Sequence, residues 1–438
     1  MFSSSSLHAA WLPALLGAAL LLPNAQAQAQ PALGLEQALQ AAQVRSRQLV
    51  AQDAAATAAR EMAQAAGQLP DPMLKAGINN LPINGPDRFS LTQDFMTMRS
   101  VGVAQEFTRA GKRQARATRF EREADAAEAG RALALANLRR DTALAWLERY
   151  NQERMLDVLR AQRAEAALQI EAADAAYRGG RGAQADVFAA RSAVAQIDDR
   201  ILQAERQVAT AKTRLARWIG DAAGQPLAAP PDLSVLQLDA AKVEAQVAHH
   251  PQLALLTRQE EVARAEADIA QSSKQADWSA ELMYNQRGPS FSNMVSINFS
   301  VPLQWDQKNR QDREVAAKLA AAEQMREQRE EATRERLADT RMWLQEWQGN
   351  RERLANYDKA LIPLAAERTR AALATYRGGA GPLSAVLEAR RMEIDTRAER
   401  LRLEMETDGL WVQLEYLIPP AHPTAMADRP ATTQEQQP

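Results

Sequence analysis

From Val295 to Trp305 apolar and polar residues alternate: Val295, Ile297, Phe299, Val301, Leu303 and Trp305 are apolar, and Ser296, Asn298, Ser300 and Gln304 stand between them. This is the period of a β-strand with one dry face and one wet face. Trp278, Ala280, Leu282 and Tyr284 repeat the alternation on the other side of the turn "RGPS". Two further strands are expected in "PMLKAGINN" and "FSLTQDFMTMRSVGVAQEF", separated by "LPINGPDR", whose Pro and Gly mark a loop. Almost everything else follows helical spacing. The first half predicts helices over 33–67, 111–177 and 183–219, the middle one about 66 residues and on the order of 100 Å long. The second half repeats this order. Leu354, Tyr357, Leu361 and Leu364 keep one helical face there, and Pro363 is expected to kink the run. Ala164 holds the equivalent place in the first half.

The two halves are copies of one pattern. "YRGGRGAQADVFAARS" at Tyr177 returns as "YRGGAGPLSAVLEARR" at Tyr376, with Gly179, Gly180, Gly182, Val187, Ala190 and Arg191 matching Gly378, Gly379, Gly381, Val386, Ala389 and Arg390 at a constant offset. "RLARWIG" parallels "VQLEYLIP", and "GVAQEFTRAGKR" parallels "NFSVPLQWDQKN". These matches divide the chain into a first repeat over 28–220, a Pro- and Ala-rich linker over 221–235, a second repeat over 236–418 and a tail over 419–438 rich in Pro, Gln and Thr. In each half the two shorter helices together equal the long one. They are expected to stack end to end along it, giving a rod of two antiparallel columns with the YRGG turn at one end and two strands at the other.

Strands of about ten residues match a membrane-crossing β-strand. Four of them cannot close a barrel, and a sheet in lipid cannot leave edges open. The expected architecture is therefore mainly α with a small β part, its four strands contributed to a twelve-stranded barrel shared by three copies.

The N-terminus supports export. "AAWLPALLGAALLLP" is an apolar run too short to span a bilayer, followed by "NAQAQAQ", where cleavage after Ala27 or Ala29 satisfies the small-x-small rule. Residues 1–27 are expected to be a signal peptide, although no Lys or Arg precedes the apolar run. The formal net charge is −2 over 438 residues, so the chain as a whole offers no field for nucleic acid or anionic lipid. There is no cysteine, which excludes disulfides, thiolate sites and a lipid-modified N-terminal Cys. His249 and His250 are adjacent and so do not share a helix face, which argues against a ligand pair. Among methionines, Met73, Met96 and Met98 are candidate soft ligands for Cu(I) or Ag(I), with packing as the plainer role. No nucleophile elbow, phosphate loop or metal-ligand cluster appears; "RGGRG" sits between helices, without the strand a phosphate loop needs. An enzyme is not expected, and neither is a cofactor. A periplasmic coiled-coil scaffold or adaptor accounts for the helices but not for the strands.

With its tandem halves, its "QEFTRAGKR" and "VPLQWDQKNR" strand-to-helix junctions and its paired Tyr-x-x-Gly turns, the chain resembles the TolC family of outer-membrane efflux proteins. The resemblance implies a homotrimer with an outer-membrane β-barrel and a periplasmic α-barrel in a Gram-negative cell. It implies docking of the helical tips to a membrane-fusion adaptor and to an inner-membrane pump of the resistance-nodulation-division type. "LPDPMLKAGINNLP" with "FMTMRSVGVAQEF" looks most like channels of heavy-metal efflux systems, with multidrug or protein export as the alternative. The resemblance also places tip contacts at Tyr177, Arg178, Gly179, Gly180, Tyr376, Arg377, Gly378 and Gly379, and rings of gating acids at or near Asp186 and Glu388. Ala385 stands where Asp186 sits in the first half. Three copies of a carboxylate around an axis repel one another and favour cations. Arg181 is a further candidate for adaptor contact or for a solvated tip.

Overall fold

The computed structural model describes residues 32–417; the expected signal peptide and the tail over 419–438 lie outside the described residues. The chain runs α1 (Leu35–Arg45), α2 (Arg47–Ala66), β1 (Met73–Asn79), β2 (Met98–Phe107), α3 (Ala110–Arg178), α4 (Gln184–Ile219), α5 (Val243–Val247), α6 (Pro251–Ser272), β3 (Trp278–Gln286), β4 (Met294–Ser300), α7 (Gln311–Asn356), α8 (Ile362–Arg377) and α9 (Leu383–Glu415). Helix α3 has 69 residues without a break, close to the expected length. Helices α2 and α4 both pack along it, and α6 lies on it too. In the second half α6 and α9 pack on the α7–α8 column.

Two departures from the expected helices have local causes. The helix expected over 33–67 is broken at Ser46, which turns extended and accepts a 3.4 Å hydrogen bond from the Leu49 N–H, starting α2 afresh. Near Pro363 the column passes through a π-helical turn over Tyr357–Leu361. Proline supplies no N–H to the preceding turn, and the wider spacing absorbs the defect upstream of it.

The four strands form one antiparallel sheet in the order β1-β2-β3-β4. The central strands have 10 and 9 residues, whereas β1 and β4 have only seven each. The alternation expected to run to Trp305 stops being a strand at Ser300. Ser300 pairs with Ser279, one residue from the start of β3, and Pro302 cannot extend the ladder; Pro72 bounds β1 in the same way. The ladder also requires Gly102. A Cβ there would lie 2.4 Å from the Leu282 carbonyl oxygen and 2.6 Å from the Met283 side chain.

The main core sits midway along α3. Trp146 is fully buried among α1, α3, α4 and α9, with Trp347 and Trp411 in the same cluster. The segment joining the halves packs here: Leu227, Leu233, Leu236 and Leu238 lie against the cluster. Arg149, also buried, donates to the carbonyls of Ala223 (2.7 Å) and Gln225 (2.8 Å), and to Glu153 (2.9 Å). Among the described residues no helix is long and apolar enough to cross a membrane.

Candidate functional site

The sheet has two chemically opposite faces. Across the register Leu74, Val103, Leu282 and Ile297 form one row, and Ala76, Val101, Tyr284 and Val295 the next. Every large apolar member of these rows is exposed. The other face is polar and satisfies itself. Asn79 Nδ2 donates to Ser100 Oγ (2.7 Å), Ser100 Oγ donates to Asn285 Oδ1 (2.6 Å), and Asn285 Nδ2 donates to Ser296 Oγ (2.9 Å). Lys75 and Glu281 pair on the same face. Ser100 and Asn285 are buried while Val295 and Ile297 are bare, the reverse of a water-soluble sheet. Such a surface suits lipid on one side and water on the other. This polar chain, one side chain from each strand, was not singled out from sequence, although its signal is the same period of two that reveals the strands.

At the far end of the helices both YRGG segments close in the same way. The Gly180 N–H bonds the Tyr177 carbonyl (3.0 Å) and the Arg181 N–H bonds that of Ala176 (2.9 Å); Gly379 to Tyr376 (3.0 Å) and Ala380 to Thr375 (3.0 Å) repeat the arrangement. Gly180 and Gly379 take φ of 66° and 72°, where a side chain is disfavoured; Gly179 and Gly378 are the residues that end α3 and α8. The two tips are not otherwise alike. Tyr376 is half-buried against a cluster of Ala173, Val187, Ala190, Leu383 and Val386 that joins both hairpins, whereas Tyr177 is 46% exposed. Arg178 is held by Asp174 on its own helix, and Arg377 and Arg181 are exposed.

The two acidic candidates also differ. Asp186 lies in the first turn of α4, and its carboxylate accepts a 3.1 Å bond from the Ala183 N–H, so it caps its own helix. Glu388 lies farther along α9, exposed, with no hydrogen bond or ion pair among the described residues. Ala385 and Ala189 occupy the places that would match each of them in the other half, so the halves put their acids at different depths.

Other candidates are kept apart. Met73 pairs with Ala104 and Met98 with Asn79, at opposite ends of the β1–β2 ladder, about 20 Å apart at the rise of a strand. They cannot share an ion with Met96 as a threesome, and among the described residues no cluster of three His, Asp or Glu side chains fit for a metal occurs. His249 and His250 bond separately: His249 Nδ1 lies 2.8 Å from the Ala245 carbonyl oxygen, and His250 caps α6, its Nδ1 accepting from the Gln252 N–H at 3.1 Å. His250 is buried, so of this pair only His249 lies on a solvated face. Burial, aided by Arg336 and Arg140, lowers the His250 pKa to about 4.

A buried polar pair links the halves where sequence gave no hint of it. Asn151 on α3 donates a 2.7 Å bond from Nδ2 to Asp408 Oδ2 on α9, and Asn151 Oδ1 has no partner among the described residues. Burial pushes the Asp408 carboxyl up to about 6; the Asn151 bond opposes this, Glu404 adds to it, and Arg154 and Arg400 oppose it.

No protein-family model matches the chain, and no curated protein sequence does. Solved structures do match in three dimensions. The outer-membrane channel OprN aligns with a TM-score of 0.72 at 16% identity over 87% of this chain and 89% of its own. VceC, an outer membrane protein of Vibrio cholerae, aligns at 0.71 and 18% over 87% and 95%. CusC, described for its folding and transmembrane channel formation, aligns at 0.74 and 14% over 88% and 92%. The architecture of this chain, long helices beneath a four-stranded sheet with an apolar outer face, is the fold of outer-membrane channel proteins.

Proposed function

We propose that three copies of this chain form the outer-membrane channel of a tripartite efflux system, a passive exit duct rather than an enzyme. One observation carries the reading: a four-stranded sheet with two open edges, one exposed apolar face and one polar face at the end of a helix on the order of 100 Å long. Closing those edges with two further copies gives twelve strands. The helices then reach through the periplasm, where an adaptor and an inner-membrane pump of the resistance-nodulation-division type supply substrate and energy. The tip segments Tyr177–Gly180 and Tyr376–Gly379 are the proposed adaptor contacts, with Glu388 and Asp186 the proposed gate acids. The likeness of "LPDPMLKAGINNLP" and "FMTMRSVGVAQEF" to heavy-metal channels makes cations such as Cu/Ag or Co/Zn/Cd the proposed cargo.

Extraction and susceptibility test the two levels separately. The protein is expected to resist carbonate and urea washes of membranes and to run as a heat-modifiable oligomer; release by either wash would indicate a peripheral helical scaffold. A deletion strain is expected to become sensitive to metal salts within a panel of metals, dyes and antibiotics. Sensitivity confined to the drugs would move the cargo to multidrug export and leave the channel in place.

A further inference from the structure

The near-zero net charge conceals a local excess. In the segments joining strands to helices together with the first ten residues of α3 and the first four of α7, residues 67–72, 108–119, 273–277 and 301–314, nine Lys and Arg stand against five Asp and Glu. At the opposite end of the sheet, residues 80–97 and 287–293 hold two of each sign. Within the junction Lys112 pairs with Asp277 and Lys274 with Asp312. Arg109, Arg113, Arg116, Lys308, Arg310 and Arg313 have no acidic ion-pair partner among the described residues, and all are exposed or half-buried.

Their placement is specific. Thr108 is buried, and the extended chain puts Phe107 and Arg109 on the opposite side from it, the apolar face. Arg109, Arg113 and Arg116 then continue down one stripe of α3. Two residues before Arg109, Phe107 stacks on Trp278 at 4.2 Å, Phe299 lies 6.4 Å from Trp278, and Trp305, beyond the end of β4, is 87% exposed. Aromatic rings of this kind settle at the level of lipid headgroups. The arginines also stand at the start of α3, whose first turn has no acid. Asp277 already meets that positive helix end, accepting from the Arg109 N–H at 3.0 Å and from Lys112 Nζ at 2.7 Å, while Arg109 Nε donates to the Ala276 carbonyl at 2.9 Å. Cations are unfavourable there, and Arg113 and Arg116 are left without an acidic ion-pair partner among the described residues.

We infer that this basic collar binds the phosphates of anionic phospholipid headgroups in the leaflet nearest the helices. The inference rests on the membrane reading above and adds a lipid preference to it. Neutral headgroups satisfy the aromatic row but leave the arginine charge uncompensated.

The test uses the full chain reconstituted into bilayers of equal phosphatidylcholine and phosphatidylglycerol. After gentle detergent extraction, the lipids retained on the protein are counted by mass spectrometry. Phosphatidylglycerol is expected to be enriched by about tenfold and to fall towards parity in about 0.5 M salt. The triple variant Arg113→Gln, Arg116→Gln, Arg313→Gln should lose the enrichment, and Lys at the same three positions should keep it. Parity in the wild type at low salt, or enrichment indifferent to salt, overturns the collar, whether or not the Gln variant folds. So does enrichment retained by a folded Gln variant. A wild-type chain that enters neither this bilayer nor a purely neutral one overturns the membrane reading itself, and the collar with it.

Discussion

Asp408 and His250 place two opposite pH dependences in one helical body. The Asp408 carboxyl titrates near 6 when folded and near 3.8 when unfolded. Stability it contributes is present below the lower value and lost as pH rises through the upper one. Protonated, it has a hydrogen to offer the idle Asn151 Oδ1. Asp408→Asn is therefore expected to raise stability at pH 7.5, on the order of 2 kcal/mol, with little change at pH 4, followed by thermal melting of the 222 nm signal; an equal gain at both pH values would rule out titration as the cause. His250 runs the other way. Its value falls from 6.5 to about 4 on folding, so its contribution is present above 6.5 and fades as pH drops towards 4. His250→Asn keeps a capping acceptor and should flatten that part of the stability profile. The two proposed gate acids, Asp186 and Glu388, separate by what each one bonds. Asp186→Ala removes a first-turn carboxylate that accepts from the N-cap N–H, worth roughly 0.3–1 kcal/mol, whereas Glu388→Ala should leave melting unchanged and weaken divalent-cation block in planar bilayers. Block unaltered in the double variant would remove both from the gate. The family resemblance nominates these acids, but only the Ala183 N–H distinguishes the one that caps.

Elements were legible wherever a period was long or a breaker was present. Alternation revealed β3 and β4, because a sheet with one dry face writes its period into the chain; the Pro- and Gly-marked loop set off β1 and β2, and the 69 residues of α3 carry no proline to interrupt them. What escaped was local competition. Ser46 looks like any polar helical residue until its hydroxyl caps the next turn, and Pro363 signals a defect without saying that a π-turn will absorb it. The ends of β1 and β4 follow from Pro72 and Pro302, which the alternation of their neighbours overrode. The Asn151–Asp408 contact spans 257 residues, and no spacing rule reaches so far. Gly102 gives the element scale its own prediction. Gly102→Val drives a side chain into the Leu282 carbonyl and should abolish the heat-resistant oligomer while the helical signal persists. An oligomer of normal heat resistance would mean that the β2–β3 ladder tolerates a shift.

For the whole molecule the decisive feature is the pair of edge strands, β1 and β4, each paired on one side only. A sheet lying in lipid with free N–H and C=O groups on both margins is unstable, so β1 of one copy is expected to meet β4 of the next. The native chain has no cysteine, which gives disulfide scanning a clean background. Pairs introduced along β1 and β4 should cross-link at one register into dimers and trimers in membranes. Bands continuing beyond the trimer would indicate an open chain of copies and not a ring. The polar row Asn79–Ser100–Asn285–Ser296 adds something that closure alone does not. Each copy arrives with its wet face already bonded, as an arc of wall. In the proposed ring of three, one copy alone encloses nothing, so a chain made singly, in excess or too early is expected to leave the membrane sealed. On that reading the hole comes into being only with the last seam, and stoichiometry itself guards the cell against half-built pores.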